Sequence, residues 1–160
     1  MDLIDTLKNK ALKHKGIRES EALELFIEGC AAPWRVFAAA SEIRERFKGK
    51  EIILCSITNA KSGRCSEDCS FCAQSSHHNA SAPVYPLKPA GQIVAEAAQA
   101  GKDGAEFFSI VTSGKSIRSK KEWSEILKAV GRIRDMGLHP CASLGLLDKD
   151  RAREVKDAGL

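Results

Sequence analysis

Three cysteines in a polar stretch are the residues whose types and spacing point most directly to chemistry. They are Cys65, Cys69 and Cys72, in the spacing C-x3-C-x2-C. Cysteine thiolates hold iron–sulfur clusters, usually four to a cluster. Because this stretch supplies only three, one iron of a four-iron cluster would lack a protein ligand. By analogy with catalytic zinc sites, an open coordination position is where a metal site performs its chemistry.

Zinc is the alternative metal, because it also accepts thiolates at such spacings. A structural zinc site would take its fourth ligand from His77 or His78, which follow the cysteines. We interpret both histidines as solvent-exposed loop residues, since adjacent histidines rarely both face one ion. Three thiols within eight residues of a polar loop are not typical of core packing. The stretch therefore predicts a metal site, with iron–sulfur favoured over zinc.

The composition indicates one domain with a hydrophobic core, since 43% of the 160 residues are hydrophobic. The 25 basic and 21 acidic residues give a formal charge of +4 without runs of like charge, so nucleic-acid binding is not indicated. No apolar stretch approaches the roughly 20 residues of a membrane span. Six cysteines without a signal-peptide pattern indicate reduced thiols. We expect a cytoplasmic protein with no nucleic-acid or membrane partner.

The elements that position the cysteines follow a helical N-terminal extension, assigned to residues 1–49. Periodicity predicts helices over 2–14, over 20–29 with Ser20 as N-cap, and from Pro33 to a stop at Gly49. Nothing in these helices indicates chemistry, and we expect Cys30 to be inert.

Strands and helices alternate in the rest of the chain, residues 50–160. The predicted strands are 51–56, 106–112 and 139–145, and the predicted helices are 89–100, 119–137 with a Ser119–Glu122 capping box, and 148–159. Such alternation predicts parallel pairing, with chemistry at the carboxyl ends of the strands. The aperiodic segment 57–88, which carries the cysteines, follows the first strand. A complete (β/α)8 barrel needs about 250 residues, so the fold class is α/β, a partial TIM-type barrel of about three βα units.

Two further motifs have simpler interpretations. Ser113-Gly114-Lys115-Ser116 lies between a strand and a helix, but Ser109 stands where a phosphate loop requires glycine. We therefore reject that interpretation. Cys141 alone is typical of a small buried apolar residue, although its place near a strand end above the cysteine stretch favours a role there.

The segment from Asn59 to Ser75 closely resembles the signature of the biotin synthase family, with Phe71 before the last cysteine as in the cluster loop of radical S-adenosylmethionine enzymes. Residues 55–57, 110–114 and 141–145 are also similar to that family, in order and at suitable distances. The resemblance covers the chain from about residue 50 to its end.

The resemblance implies a [4Fe–4S] cluster on Cys65, Cys69 and Cys72, whose fourth iron chelates S-adenosylmethionine, with Phe71 beside the adenine. It also implies a second iron–sulfur cluster, [2Fe–2S] or a variant, that donates sulfur to dethiobiotin. A flavodoxin or ferredoxin would supply electrons, and the full-length protein would be a homodimer. We expect this chain alone to be inactive, because half a barrel leaves the radical exposed to water. The positions similar to the family's cofactor contacts are Phe71, Thr112, Ser113 and Gly114.

One position departs from the family pattern. Cys141 matches the third-strand ligand of the second cluster, but the second-strand position is Ser109, and a serine oxygen is a poorer iron–sulfur ligand than a thiolate. We hypothesise that Cys55 on the first strand replaces the missing thiolate. The departure leaves open another radical S-adenosylmethionine enzyme, such as a hydrogenase-maturation relative. A zinc-binding Cys3His interaction module is the alternative outside enzymes.

Overall fold

A computed structural model describes residues 2–160, apart from the side chain of Glu28. The described chain forms two compact units, one up to Ile52 and the other from Ile53 to Leu160. The assignment of a domain to 1–49 and another to 50–160 stays a prediction. None of the helices in the described part of the chain combines the length and the apolar character needed to cross a bilayer.

The first unit contains the three predicted helices: α1 Leu3–Leu12, α2 Glu19–Ala31 and α3 Pro33–Lys48. The Asp2 carboxylate caps α1 by accepting the Asp5 N–H at 3.0 Å, and Gly49 follows α3 with a positive φ of 71°. The prediction of Ser20 as the N-cap of α2 was wrong. The helix begins one residue earlier, where the Glu21 carboxylate accepts the Arg18 N–H at 2.8 Å.

Ion pairs join the helices of the first unit around the buried side chains of Ile4 and Leu7. Lys10 on α1 contacts Glu21 on α2 at 2.6 Å, and Lys8 contacts Glu42 on α3 at 2.9 Å. The hydrogen bond from Lys10, together with that from the Arg18 N–H, lowers the pKa of Glu21 to about 2.

The second unit is an α/β layer with one parallel sheet. Its strands lie in the order β1-β2-β3 and pair in parallel, which confirms the partial α/β barrel. The predicted alternation of strands and helices is also confirmed. The elements are β1 Cys55–Lys61, α4 Ala90–Lys102, β2 Phe107–Thr112, α5 Lys120–Asp135, β3 His139–Ser143 and α6 Lys149–Ala158.

The predicted position of the first strand, 51–56, was wrong. The apolar run Ile52 to Leu54 is exposed, and the strand begins at Cys55 and ends at Lys61. Its residues that are buried against the helices are Thr58 and Ala60, which are small or polar. A hydrophobicity pattern therefore places this strand too early in the sequence. It puts Cys55 near the end of the strand, whereas Cys55 is the first residue of β1.

One face of the sheet packs against helices, with Phe108 and Ile110 of β2 fully buried on it. Ser119 caps α5 as predicted, accepting the Glu122 N–H at 3.3 Å. Glu125 of α5 accepts the Ala90 N–H at 2.8 Å and so caps the neighbouring α4. That bond and the Lys128 ammonium lower the pKa of Glu125. The helix residues in this core are Ala90, Ile93, Val94, Ala97, Ala100, Trp123, Ile126, Ala129, Val130, Ile133 and Val155.

Candidate metal centre

Hydrogen bonds join the carboxyl ends of β1 and β2. The Ser113 N–H donates to the Lys61 carbonyl at 2.9 Å, and the buried Ser113 Oγ donates to the Gly63 carbonyl at 2.8 Å. A register shift between Asn59 and Lys61 sets Lys61 opposite Thr112. Bulges of this kind re-aim side chains near functional sites, and Lys61 contacts Glu122 of α5 at 2.9 Å.

The end of β3 approaches the same place closely. The Leu146 N–H donates to the Lys115 carbonyl at 2.8 Å, and Gly145 has φ +74°. A Cβ at Gly145 would lie 2.3 Å from the Lys115 carbonyl oxygen. Only glycine fits this position, so the three strand ends meet because one residue lacks a side chain.

The cysteine loop, residues 65–75, is closed at its base by backbone hydrogen bonds. The Cys65 N–H donates to the Gln74 carbonyl at 3.0 Å, and the Ser76 N–H donates to the Cys65 carbonyl at 2.8 Å. The Gln74 side-chain oxygen accepts the Ser62 hydroxyl at 2.9 Å and the Gly63 N–H at 2.5 Å. These hydrogen bonds anchor the loop to the end of β1.

The three loop cysteines are free thiols in different environments. Cys65 is buried, Cys72 is half-buried and Cys69 is exposed. Across the described residues, no three Cys, His, Asp or Glu side chains are grouped as a metal site would require. The structure thus places the thiols on one loop without bringing them together, and their assignment as ligands stays a prediction.

His77 and His78 contact the loop's backbone. The Nε2 of His77 lies 3.1 Å from the Ser66 carbonyl oxygen, and the Nε2 of His78 lies 3.0 Å from that of Cys69. The Asp68 carboxylate is 3.4 Å from the same nitrogen of His78. Both residues are exposed, as predicted, but their rings hold the loop. Neither Nε2 contacts a thiol in these interactions. A Cys3His zinc site that used this nitrogen would require it to face the thiols.

The donor set fits an iron–sulfur cluster in the type of its ligands. Three soft thiols are free of disulfide bonds, and thiolates are the ligands that iron–sulfur clusters take. The turn from Cys69 to Cys72, in which the Cys72 N–H donates to the Cys69 carbonyl at 3.0 Å, keeps these two residues close along the backbone. Binding requires the segment between the anchored ends of the loop to bring the thiols together.

The residues matched to cofactor contacts lie in two places. Thr112 and Ser113 are buried at the end of β2, and Gly114 follows with φ +111°. Phe71 lies on the cysteine loop with its side chain fully exposed. The structure thus places three of the four at the carboxyl end of β2 and the fourth on the cysteine loop.

Ser109 and Cys141 are direct neighbours across β2 and β3. The residue in the same row of β1 is Ile57, whose side chain is 66% exposed. Cys55 is paired instead with Phe107, two residues toward the amino end of the sheet. Strand spacings of about 4.8 Å and a rise of about 3.3 Å per residue put the Cα atoms of Cys55 and Cys141 roughly 12 Å apart.

Sequence reasoning missed Gln74 and Tyr85, which anchor the loop. The Tyr85 hydroxyl donates to the Asn59 carbonyl at 2.8 Å, and its backbone pairs with that of Ser62. Polar side chains in an aperiodic segment give no periodic signal. A single tyrosine in a loop is a weak clue that something holds it there.

Fold and site together define a partial parallel α/β barrel with a three-cysteine loop after its first strand. No family model matches the sequence. Proteins named biotin synthase are similar to it: 45% identical over 158 residues in Geotalea uraniireducens (98% of this chain, 48% of the relative) and 49% over 144 in Syntrophotalea carbinolica (89% and 44%). That of Thermodesulfovibrio yellowstonii is 52% identical over 121 residues (76% and 38%).

By sequence, this chain is therefore a relative of biotin synthase. It spans about half the length of the curated relatives that it matches.

Proposed function

We propose that the chain is the cluster-binding part of a biotin synthase, an enzyme that inserts sulfur into dethiobiotin by radical S-adenosylmethionine chemistry. The observation that carries the proposal is the loop of Cys65, Cys69 and Cys72, anchored at the carboxyl end of β1. Carboxyl ends of barrel strands are where such folds hold their active sites. The similarity to proteins named biotin synthase, at 39–52% identity, supports the particular reaction.

In this proposal the three thiolates hold a [4Fe–4S] cluster, which when bound supplies the electron that cleaves S-adenosylmethionine. The chain's own residues position the cofactor. Ser113, fixed by its hydrogen bond to the Gly63 carbonyl, holds the end of β2 against the start of the cysteine loop. Thr112 and Gly114 flank Ser113 in sequence, and Phe71 would lie beside the adenine.

A second iron–sulfur cluster, [2Fe–2S] or a variant, would lie on the sheet face that carries Ser109 and Cys141. These two residues are in one row, whereas Cys55 is displaced from that row by two residues. Cys55 as the replacement ligand therefore requires a cluster that reaches toward the amino ends of the strands. Iron content and visible spectra of the Cys55→Ala protein test this, and an unchanged second cluster would contradict it.

The remaining participants belong to the same proposal. Dethiobiotin is the substrate, a reduced flavodoxin or ferredoxin is the electron donor, and the full-length protein is a homodimer. The substrate-reading residues would lie in the part of the relatives that this chain does not span.

Anaerobic reconstitution of the full-length gene product with iron and sulfide tests the proposal. We expect a brown protein whose visible absorbance is bleached by dithionite. Cys65→Ala, Cys69→Ala and Cys72→Ala should each lose the iron of the first cluster, because a thiolate ligand is missing. Cys30→Ala is the matched control and should keep it, since Cys30 lies on α2 of the other unit. A colourless protein that carries zinc in fixed stoichiometry and takes up no iron would overturn the proposal.

A further inference from the structure

A cleft of about 610 Å³ lies beside the cysteine loop, between the segments that follow β1 and β2. Four cationic side chains and one carboxylate line it, an excess of three positive charges, whereas the formal charge of the whole chain is +4. The Glu67 carboxylate lies 3.5 Å from Lys115 and reduces this excess to two, which comes from Arg64 and Arg118. This cleft, called the basic cleft below, has the charged lining residues Lys61, Arg64, Lys115, Arg118 and Glu122, and Ser113 and Gly114, two of the proposed cofactor contacts, lie at its edge as well.

In the described part of the chain, two of the four cations are paired with carboxylates and two are not. Lys61 is paired with Glu122 at 2.9 Å, and Lys115 lies 3.5 Å from Glu67 on the cysteine loop. Arg64 and Arg118 are exposed, and within the described part of the chain neither forms a hydrogen bond or an ion pair. Arg118 also precedes the amino end of α5, where the helix dipole disfavours positive charge.

The backbone holds Arg64 in an unusual conformation. Its φ is 53°, directly after Gly63 at 76°. Residues other than glycine rarely adopt this region, and they persist there where the surroundings fix them, often at functional sites. Arg64 immediately precedes Cys65, and Ser66 also lines the cleft. The basic cleft thus begins one residue away from a proposed cluster ligand.

We propose that the basic cleft is the docking surface for an acidic one-electron carrier protein. This inference rests on the proposed function. In this transfer the carrier would lose one electron, and the cluster held by the cysteine loop would gain that electron. Such a transfer requires the carrier to lie close to that loop, and the cleft adjoins it. Electron-transfer encounters use small interfaces, and complementary charge steers them.

A small phosphate-like anion fits the cleft less well. The Ser113 N–H, which a phosphate cradle would use, is already bound to the Lys61 carbonyl at 2.9 Å. The Ser113 hydroxyl is likewise bound, to the Gly63 carbonyl. What the cleft offers is long, exposed cationic side chains, which suit carboxylates on the surface of another protein.

The test measures binding of an acidic flavodoxin to the full-length gene product by titration calorimetry. The double variant Arg64→Gln and Arg118→Gln should weaken binding about tenfold, because it removes two exposed charges from the contact. The matched control is Lys102→Gln and Lys156→Gln, two exposed lysines in the last turns of α4 and α6, and it should change affinity less than twofold. Raising the ionic strength from about 0.05 to 0.5 M should weaken wild-type binding more than binding by the cleft variant.

Equal affinities for the wild-type protein and the cleft variant would overturn the proposal, as would equal losses in the cleft and control variants. Inorganic phosphate that binds in the cleft while flavodoxin does not bind would overturn it as well. Iron and sulfide content, measured on the same samples, should be unchanged in the cleft variant. A protein that holds no iron would refute the proposed function, whereas an iron-loaded protein whose cleft variant binds flavodoxin normally would refute only the docking surface.

Discussion

Replacing Gly145 with alanine should destabilise the second unit more than the same substitution at Gly137 or Gly91 does. The residue has φ +74°, and a new Cβ would lie 2.3 Å from the Lys115 carbonyl oxygen and 2.9 Å from that of Gly114. A left-handed conformation costs an L-residue about 1–2 kcal/mol. Forcing backbone apart to fit a methyl group adds about 1–3 kcal/mol. We expect a total loss of about 2–5 kcal/mol in the free energy of unfolding.

Two other glycines separate these contributions. Gly137 has φ +84° with nothing within 4 Å of its Cβ position, so Gly137→Ala should cost only the conformational part, about 1–2 kcal/mol. Gly91 lies in α4, with open space and no positive φ. Gly91→Ala should therefore stabilise the protein by up to about 1 kcal/mol.

The assay is urea unfolding of the metal-free, full-length gene product, followed by circular dichroism and tryptophan fluorescence. The variants are compared at a constant m-value, the dependence of the unfolding free energy on urea concentration. A shift in the urea midpoint then reports a change in stability. If Gly145→Ala and Gly137→Ala lose the same stability, the close approach of the β3 end to the Lys115 carbonyl is not a real constraint.

Three further substitutions test other contacts. Ser113→Ala should lower the free energy of unfolding by about 1–3 kcal/mol, because it leaves the buried Gly63 carbonyl unpaired; urea midpoints measure this, with Ser113→Cys as a comparison. Ser119→Ala should cost about 1 kcal/mol by removing the α5 N-cap, seen as a lower thermal midpoint. Glu21, whose pKa is lowered to about 2, adds stability that is present above its ordinary pKa near 4.5 and is lost as pH falls toward 2. In an acid titration followed by circular dichroism, Glu21→Gln should make the loss of helix signal between pH 4.5 and 2 smaller than in the wild-type protein. An unchanged profile would contradict the pairing of Glu21 with Lys10.

Part of this architecture is predictable from the sequence because local rules decide it. The apolar stripe of α5 predicts both the helix and its buried face. Trp123, Ile126, Val130 and Ile133 are buried, and Leu127, the fifth residue of the stripe, is half-buried against the core. The capping box is only half formed. Ser119 accepts the Glu122 N–H, while the Glu122 carboxylate turns to Lys61, a partner that only the sheet register brings near.

The first strand shows what sequence patterns do not give. Ile52 to Leu54 are apolar but exposed, while the strand buries Thr58 and Ala60 under helices. Hydrophobicity finds a buried strand only where burial requires large side chains, and a small residue under a helix gives a weak signal. The contacts of His77 and His78 with the loop carbonyls are equally invisible, since they depend on the folded path of the loop. The three cysteines could be found because spacing alone defines their motif.

The closed base of the cysteine loop also bears on the order of assembly. In zinc fingers, metal affinity and folding free energy are the same quantity, and chelators denature the protein. Here Cys65 is held through its main chain by Gln74 and Ser76, so we expect the base of the loop to form without a bound cluster. Biogenesis would then proceed from a finished polypeptide that receives its cluster afterwards, and refolding in the presence of EDTA should succeed.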